Sequence, residues 1–159
     1  MPEIMGRKVG RGFIIMIRSE FLYLCIIISV ALTSCAPQRQ DFIPYTFVEI
    51  DINLNLTKYL DLQRDGGFVY EFGGIKGIII YRQSPSVYRA FEQNSPVNSS
   101  NVCAIVEVDQ SGLFIIDHCS RATFDFEGNP SNGISLFPLK QYTTILDNNW
   151  LYIRSDPGL

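Results

Sequence analysis

Gly73-Gly74-Ile75-Lys76-Gly77-Ile78-Ile79-Ile80-Tyr81-Arg82-Gln83-Ser84-Pro85-Ser86-Val87-Tyr88-Arg89-Ala90-Phe91-Glu92-Gln93-Asn94-Ser95-Pro96 is the stretch whose reading decides the fold. It holds two short apolar runs, residues 75–81 and 87–91, joined by a polar turn around Ser84-Pro85. Short runs rich in β-branched and aromatic residues, bounded by Gly, Pro and Ser, predict strands rather than helices. Ile78 and Ile80 are expected in the core. A loop opens at Asn94.

Outward from this hairpin the same punctuation recurs. Residues 47–54 alternate apolar and polar side chains, the period of a strand with one buried face. Residues 56–62 suit a single helical turn, and 68–72 a strand that Gly73-Gly74 closes into the organising stretch. Residues 102–108 and 113–116 read as a hairpin around Asp109-Gln110-Ser111-Gly112. A second loop, 117–122, leads to a strand at 123–126. Residues 134–139 are expected to cross back as a strand, and 142–146 with 150–153 to form the last hairpin over Asp147-Asn148-Asn149. With no amphipathic helix of useful length and no repeat, the chain is expected to be all-β, a small barrel or sandwich of about nine or ten short antiparallel strands. The aromatics Phe47, Tyr70, Phe72, Phe91, Phe124, Trp150 and Tyr152 fall on strand positions and are expected in the core.

The chain of 159 residues has room for one domain plus a targeting segment. Beyond residue 35, nine Lys and Arg stand against fourteen Asp and Glu, a net charge of −5 with no basic stripe. Nucleic acid is therefore not expected as a partner, because binding it rests on clustered cations that neutralise phosphates.

Residues 1–34 read as a secretion signal. Arg7, Lys8, Arg11 and Arg18 precede the uncharged apolar run 21–32. That run is shorter than the roughly 20 residues a membrane-spanning helix needs, but it suits a signal peptide. Met16 opens a more ordinary signal, so it is expected as the true start. Leu32-Thr33-Ser34-Cys35 resembles a bacterial lipobox, which implies cleavage before Cys35 and a diacylglycerol thioether on its sulfur. Acyl chains such as palmitate would then anchor the chain, each buried methylene adding about 0.8 kcal/mol. Residues 35–44, with prolines at 37 and 44, form the lipidated tether, and 45–159 the folded domain. No acidic residue follows Cys35 directly. The expected location is thus the cell envelope, on the outer membrane or its periplasmic face if the host is Gram-negative.

Of four cysteines, Cys25 lies in the apolar run and Cys35 in the lipobox. Cys103 and Cys119 remain. In an oxidising compartment they suggest one disulfide; two unpaired buried thiols are the other reading.

Three motifs become specific once the elements are in order: Val87-Tyr88-Arg89-Ala90-Phe91, the tail Gly133-Ile134-Ser135-Leu136-Phe137-Pro138-Leu139-Lys140-Gln141-Tyr142, and Asn149-Trp150-Leu151-Tyr152-Ile153. With them the chain resembles the Rieske-type iron–sulfur domain, in particular the small Rieske-like lipoproteins of Bacteroidetes, over about residues 47–154. The tail is similar to that family's Gly-Pro-Ala-x-x-Pro-Leu-x-x-Tyr return strand. A Rieske centre needs two Cys on one iron and two His on the other. Aligned on Pro96 and Phe124, the resemblance puts the ligand positions at Ser95 and Val97 in the first loop and at Asp117 and Ser120 in the second. It puts Cys119 on the non-ligand cysteine that family members often use in a disulfide. Sliding the register to make Cys119 a ligand leaves Ala122 in the histidine slot. No register supplies four ligands, so neither a [2Fe-2S] cluster nor another cofactor is expected. A metal held by Asp117, His118 and Cys119 is disfavoured, because neighbours on an extended chain point to opposite faces. In a hairpin turning near Gln110 and Ser111, residues 103 and 118 come roughly opposite, so Cys103 and Cys119 are expected to bridge.

The remaining chemistry is sparse. His118 is the single histidine, no Gly-x-Ser-x-Gly elbow occurs, and Gly73-Gly74-x-x-Gly77 lacks the helix and lysine of a phosphate loop. Asp51, Asp61 and Asp65 read as solvated carboxylates rather than a calcium site. The expectation is a cell-envelope lipoprotein with a degenerate Rieske-like domain, binding or structural rather than enzymatic, with the membrane and an envelope protein as partners. The alternatives are a [2Fe-2S] electron carrier of unrecognised ligation and an accessory subunit of a membrane complex.

Overall fold

The computed structural model describes residues 43–156, all within the compact unit Gln38–Leu159. The expected signal segment, Met16, Cys35 and most of the tether lie outside the described residues. Nine strands and one short helix make the domain all-β: β1 (Glu49–Asn53), β2 (Phe68–Glu71), β3 (Ile78–Ser84), β4 (Val87–Glu92), β5 (Val106–Val108), β6 (Ile115–Asp117), β7 (Thr123–Phe124), β8 (Gln141–Asp147) and β9 (Trp150–Arg154). The expected helical turn is a 3-10 segment, Thr57–Gln63, that buries Tyr59 and Leu62.

Two antiparallel sheets form, one of six strands in the order β1-β9-β8-β4-β3-β2 and one of three in the order β5-β6-β7. The organising hairpin is β3 and β4, both interior strands of the larger sheet. In β3, Ile78, Ile79 and Ile80 are all without solvent exposure. Successive side chains on a strand point to opposite faces, so three buried in a row require cover on both. Ile78 and Ile80 join Ile52, Leu62, Ala90, Tyr142, Leu151 and Ile153 in one cluster. Ile79 joins Phe91, Val97, Val106, Ile115 and Phe124 in the other, beneath the small sheet. The larger sheet curls: a Cβ on Gly73, just past edge strand β2, would lie 3.0 Å from Ile50 Cδ1 in β1, the opposite edge strand.

Several expectations change in detail. Strand pairing in the second hairpin begins only at Val106, which faces Asp117, and residues 134–139 run without strand pairing. Phe91 and Phe124 are buried, as expected of core aromatics, but Phe72 is 93 % exposed, Phe47 71 %, Trp150 44 % and Tyr70 43 %. The reason is the side of the strand taken. Val69 packs inward, so Phe68, Tyr70 and Phe72 share the other face of β2 and its extension. In β9, Leu151 and Ile153 are buried, leaving Trp150 and Tyr152 outward.

Candidate functional site

Strand starts and strand ends alternate at one end of the larger sheet, as antiparallel pairing requires. The starts of β1, β3 and β8 meet the ends of β9, β2 and β4, with Glu49 opposite Arg154, Ile78 opposite both Glu71 and Glu92, and Gln141 opposite Phe91. From the end of β4 the first loop, 94–104, runs into the small sheet, tied by the bonds Ser95 N to Ala104 O (3.0 Å) and Val106 N to Gln93 O (2.8 Å). The second loop, 117–122, follows β6. A disulfide joins Cys103 of the first to Cys119 of the second, with Cα atoms 5.7 Å apart. The expected bridge is therefore present.

Each position that the resemblance marked as a ligand has another occupation. Val97 is fully buried in the second hydrophobic cluster. Ser95 is also fully buried, and its Oγ accepts the Val97 N–H at 3.2 Å. Asp117 is fully buried too; its Oδ1 accepts the Cys119 N–H (2.8 Å) and its Oδ2 the Ser120 hydroxyl (2.6 Å). The hydroxyl oxygen of Ser120 in turn accepts the Ala122 N–H at 3.2 Å. Asp117 and Ser120 are thus brought together as one turn, and Ser95 and Val97 as another. The donor set does not fit an iron–sulfur cluster: an alkyl group, two hydroxyls and an already hydrogen-bonded carboxylate stand where thiolate and imidazole are needed. Among the described residues no three His, Cys, Asp or Glu gather as a metal site would require. His118, beside the disulfide, is exposed.

A group that the sequence did not reveal lies just behind these loops. Glu92, at the end of β4, has no solvent exposure. Its Oε2 accepts the Ile75 N–H (2.8 Å) and the Tyr142 hydroxyl (2.7 Å), and its Oε1 accepts the N–H groups of Lys76 and Asn94 (both 3.0 Å). Loop 73–77 wraps the carboxylate closely enough that glycine is required. At Gly74, with φ of +62°, a Cβ would stand 2.1 Å from Glu92 Oε2, and at Gly77 it would stand 2.3 Å from Gln93 Oε1. Burial, then the bond to Glu92, raises the Tyr142 hydroxyl far above its ordinary value.

From the same loop the Lys76 ammonium reaches across to donate to the carbonyls of Ser99 (3.2 Å), Asn101 and Ala104 (3.0 Å). Its side chain therefore holds the first loop by three backbone groups. Burial lowers its pKa, against the raising pull of Asp117 and Glu92. Asn94 Oδ1 is buried without a partner, which costs about 1–3 kcal/mol in this corner. Of this group only Gly73-Gly74-x-x-Gly77 left a trace in the sequence, and it reads equally as strand punctuation.

The far end of the sheet carries a cleft of about 390 Å³ lined by Leu54, Asn55, Gln63, Arg82, Tyr88 and Asn149, among others. Arg82 there is paired with Asp65 at 3.1 Å and donates to Leu62 O. The cleft therefore presents amides, a tyrosine and one cation that is already paired. No family model matches the chain, and no curated protein matches it.

Proposed function

We propose that this chain is a cell-envelope lipoprotein, anchored through Cys35, whose folded part is a Rieske-like domain converted to a structural or binding role. The observation that carries the reading is the self-sufficiency of the two loops. They are closed by the Cys103–Cys119 disulfide, and their side chains at Ser95, Val97, Asp117 and Ser120 are consumed by local hydrogen bonds or by the core. With those four side chains so engaged, the positions that the resemblance marks offer neither thiolate nor imidazole to a redox centre. A disulfide also suits the oxidising space outside the cytoplasm.

Two measurements test this. Purified protein is expected to be colourless and free of iron; visible absorbance with about two irons per chain would restore the electron-carrier reading. Cells grown with labelled palmitate are expected to incorporate label into the wild-type chain and not into Cys35→Ala. Label persisting in that variant would remove the anchor from Cys35.

A further inference from the structure

The end of the larger sheet that carries both loops also receives the chain from the tether. Pro44 O accepts from the Lys140 ammonium at 2.9 Å, the Tyr45 and Ser155 hydroxyls lie 3.1 Å apart, and Ser155 N donates to Val48 O. Lys140 immediately precedes β8 and Ser155 immediately follows β9, so the entry point is fixed at that end. Cys35 lies only eight positions before Ile43, a reach of at most about 28 Å.

The same end presents four exposed large apolar side chains, two of which, Phe72 and Val102, are the most exposed large apolar side chains of the described residues. Phe72 is 93 % exposed, Val102 85 % and Phe47 71 %, with Ile75 beside them at 37 %. Their neighbourhood follows from named contacts. Gly73 lies against Ile50, which sets Phe72 beside the start of β1 and hence near Phe47. The Lys76 bonds to Asn101 and Ala104 set Val102 beside Ile75. Glu92, Lys76 and the disulfide hold the backbone carrying Phe72, Ile75 and Val102, so little main-chain freedom remains to be lost on contact.

We infer that this end is a membrane-contacting face, with Phe47, Phe72, Ile75 and Val102 seated at the headgroup–acyl boundary of the bilayer that holds the anchor. The inference rests on the lipid anchor proposed above. A short tether entering at the apolar end keeps that end over the lipid, and the second contact adds to the first as a lipid chain plus an apolar patch do. Because the domain carries a net charge of −5 beyond residue 35, the contact is apolar rather than electrostatic and works on uncharged lipid.

Trp150, the single tryptophan, supplies the reference, since it begins β9 opposite Asp147 and Asn53 at the far end of the sheet. The full lipidated chain is reconstituted in neutral phosphatidylcholine vesicles with brominated acyl chains. Tryptophan quenching is then compared between wild type and Phe72→Trp or Val102→Trp made in a Trp150→Phe background. Quenching at positions 72 and 102 is expected to exceed that of Trp150 several-fold. Equal quenching at all three positions in a chain shown by mass spectrometry to be lipidated overturns the contact face alone, leaving the patch to a protein partner. An unmodified Cys35 in cell-derived protein overturns both the anchor and the face.

Discussion

Glu92 and Asp117 are both fully buried carboxylates at strand ends in the corner closed by the disulfide, yet their partners differ in reach. Asp117 accepts from Cys119 and Ser120, two and three residues away, and so shapes a turn that the local sequence alone could build. Glu92 accepts from Ile75, Lys76, Asn94 and Tyr142, and so binds together a loop before β3, a loop after β4 and the strand β8. The cost of removing each should scale with that reach, because a non-local acceptor leaves donors stranded in several segments at once.

The largest effect is expected at Glu92. In Glu92→Gln an amide N–H₂ faces N–H and O–H donors, and unfolding in urea should show a loss of about 4 kcal/mol. A loss below about 1 kcal/mol would mean that the corner does not depend on its carboxylate. Next comes the disulfide, which spans 16 residues. Cys103→Ser with Cys119→Ser should cost about 3 kcal/mol on the chain-entropy model, checked by the shift in melting temperature with and without reductant. Asp117→Asn leaves the turn one good acceptor and should cost about 2 kcal/mol; a cost equal to that of Glu92→Gln would erase the contrast between local and non-local roles.

The smallest effect belongs to Tyr142→Phe, about 1 kcal/mol at neutral pH, and it has a distinctive pH dependence. The folded hydroxyl holds its proton above the ordinary value, first through burial and then through Glu92. The unfolded chain releases that proton as pH passes about 10, so it binds fewer protons than the fold and stability falls as pH rises further. Denaturant midpoints compared at about pH 9 and pH 11 should drop less in Tyr142→Phe than in wild type. An equal drop would assign that limb to other tyrosines.

Much of the architecture was legible because strands declare themselves by period. The turn Asp109-Gln110-Ser111-Gly112 closes where expected, with Gly112 N bonded to Asp109 O at 2.8 Å, and the two cysteines meet. The side each strand presents was less legible. In β9 and around β2 both faces carry apolar residues, and a period-2 pattern that is apolar on both faces does not say which goes inward. The aliphatic side won in each case, with Val69, Leu151 and Ile153 inside. Glu92 was invisible for a different reason: nothing in Phe91-Glu92-Gln93 separates a solvated carboxylate from one sealed by a hydroxyl fifty positions later. Turns such as Asp117–Ser120 are written within a few residues, whereas an acceptor shared by three segments exists only once the sheet has paired.

The doubly covered run of β3 also matters before there is a fold to cover it. Ile78-Ile79-Ile80-Tyr81 is short, strongly β-forming and uncharged, the kind of segment that adds to its own copies in an unfolded chain. Lys76 and Arg82 bracket it at close range, and charges so placed discourage self-stacking. In the native domain those two cations are spent on loop carbonyls and on Asp65. The same pair therefore guards solubility in the newly made polypeptide and architecture in the finished one.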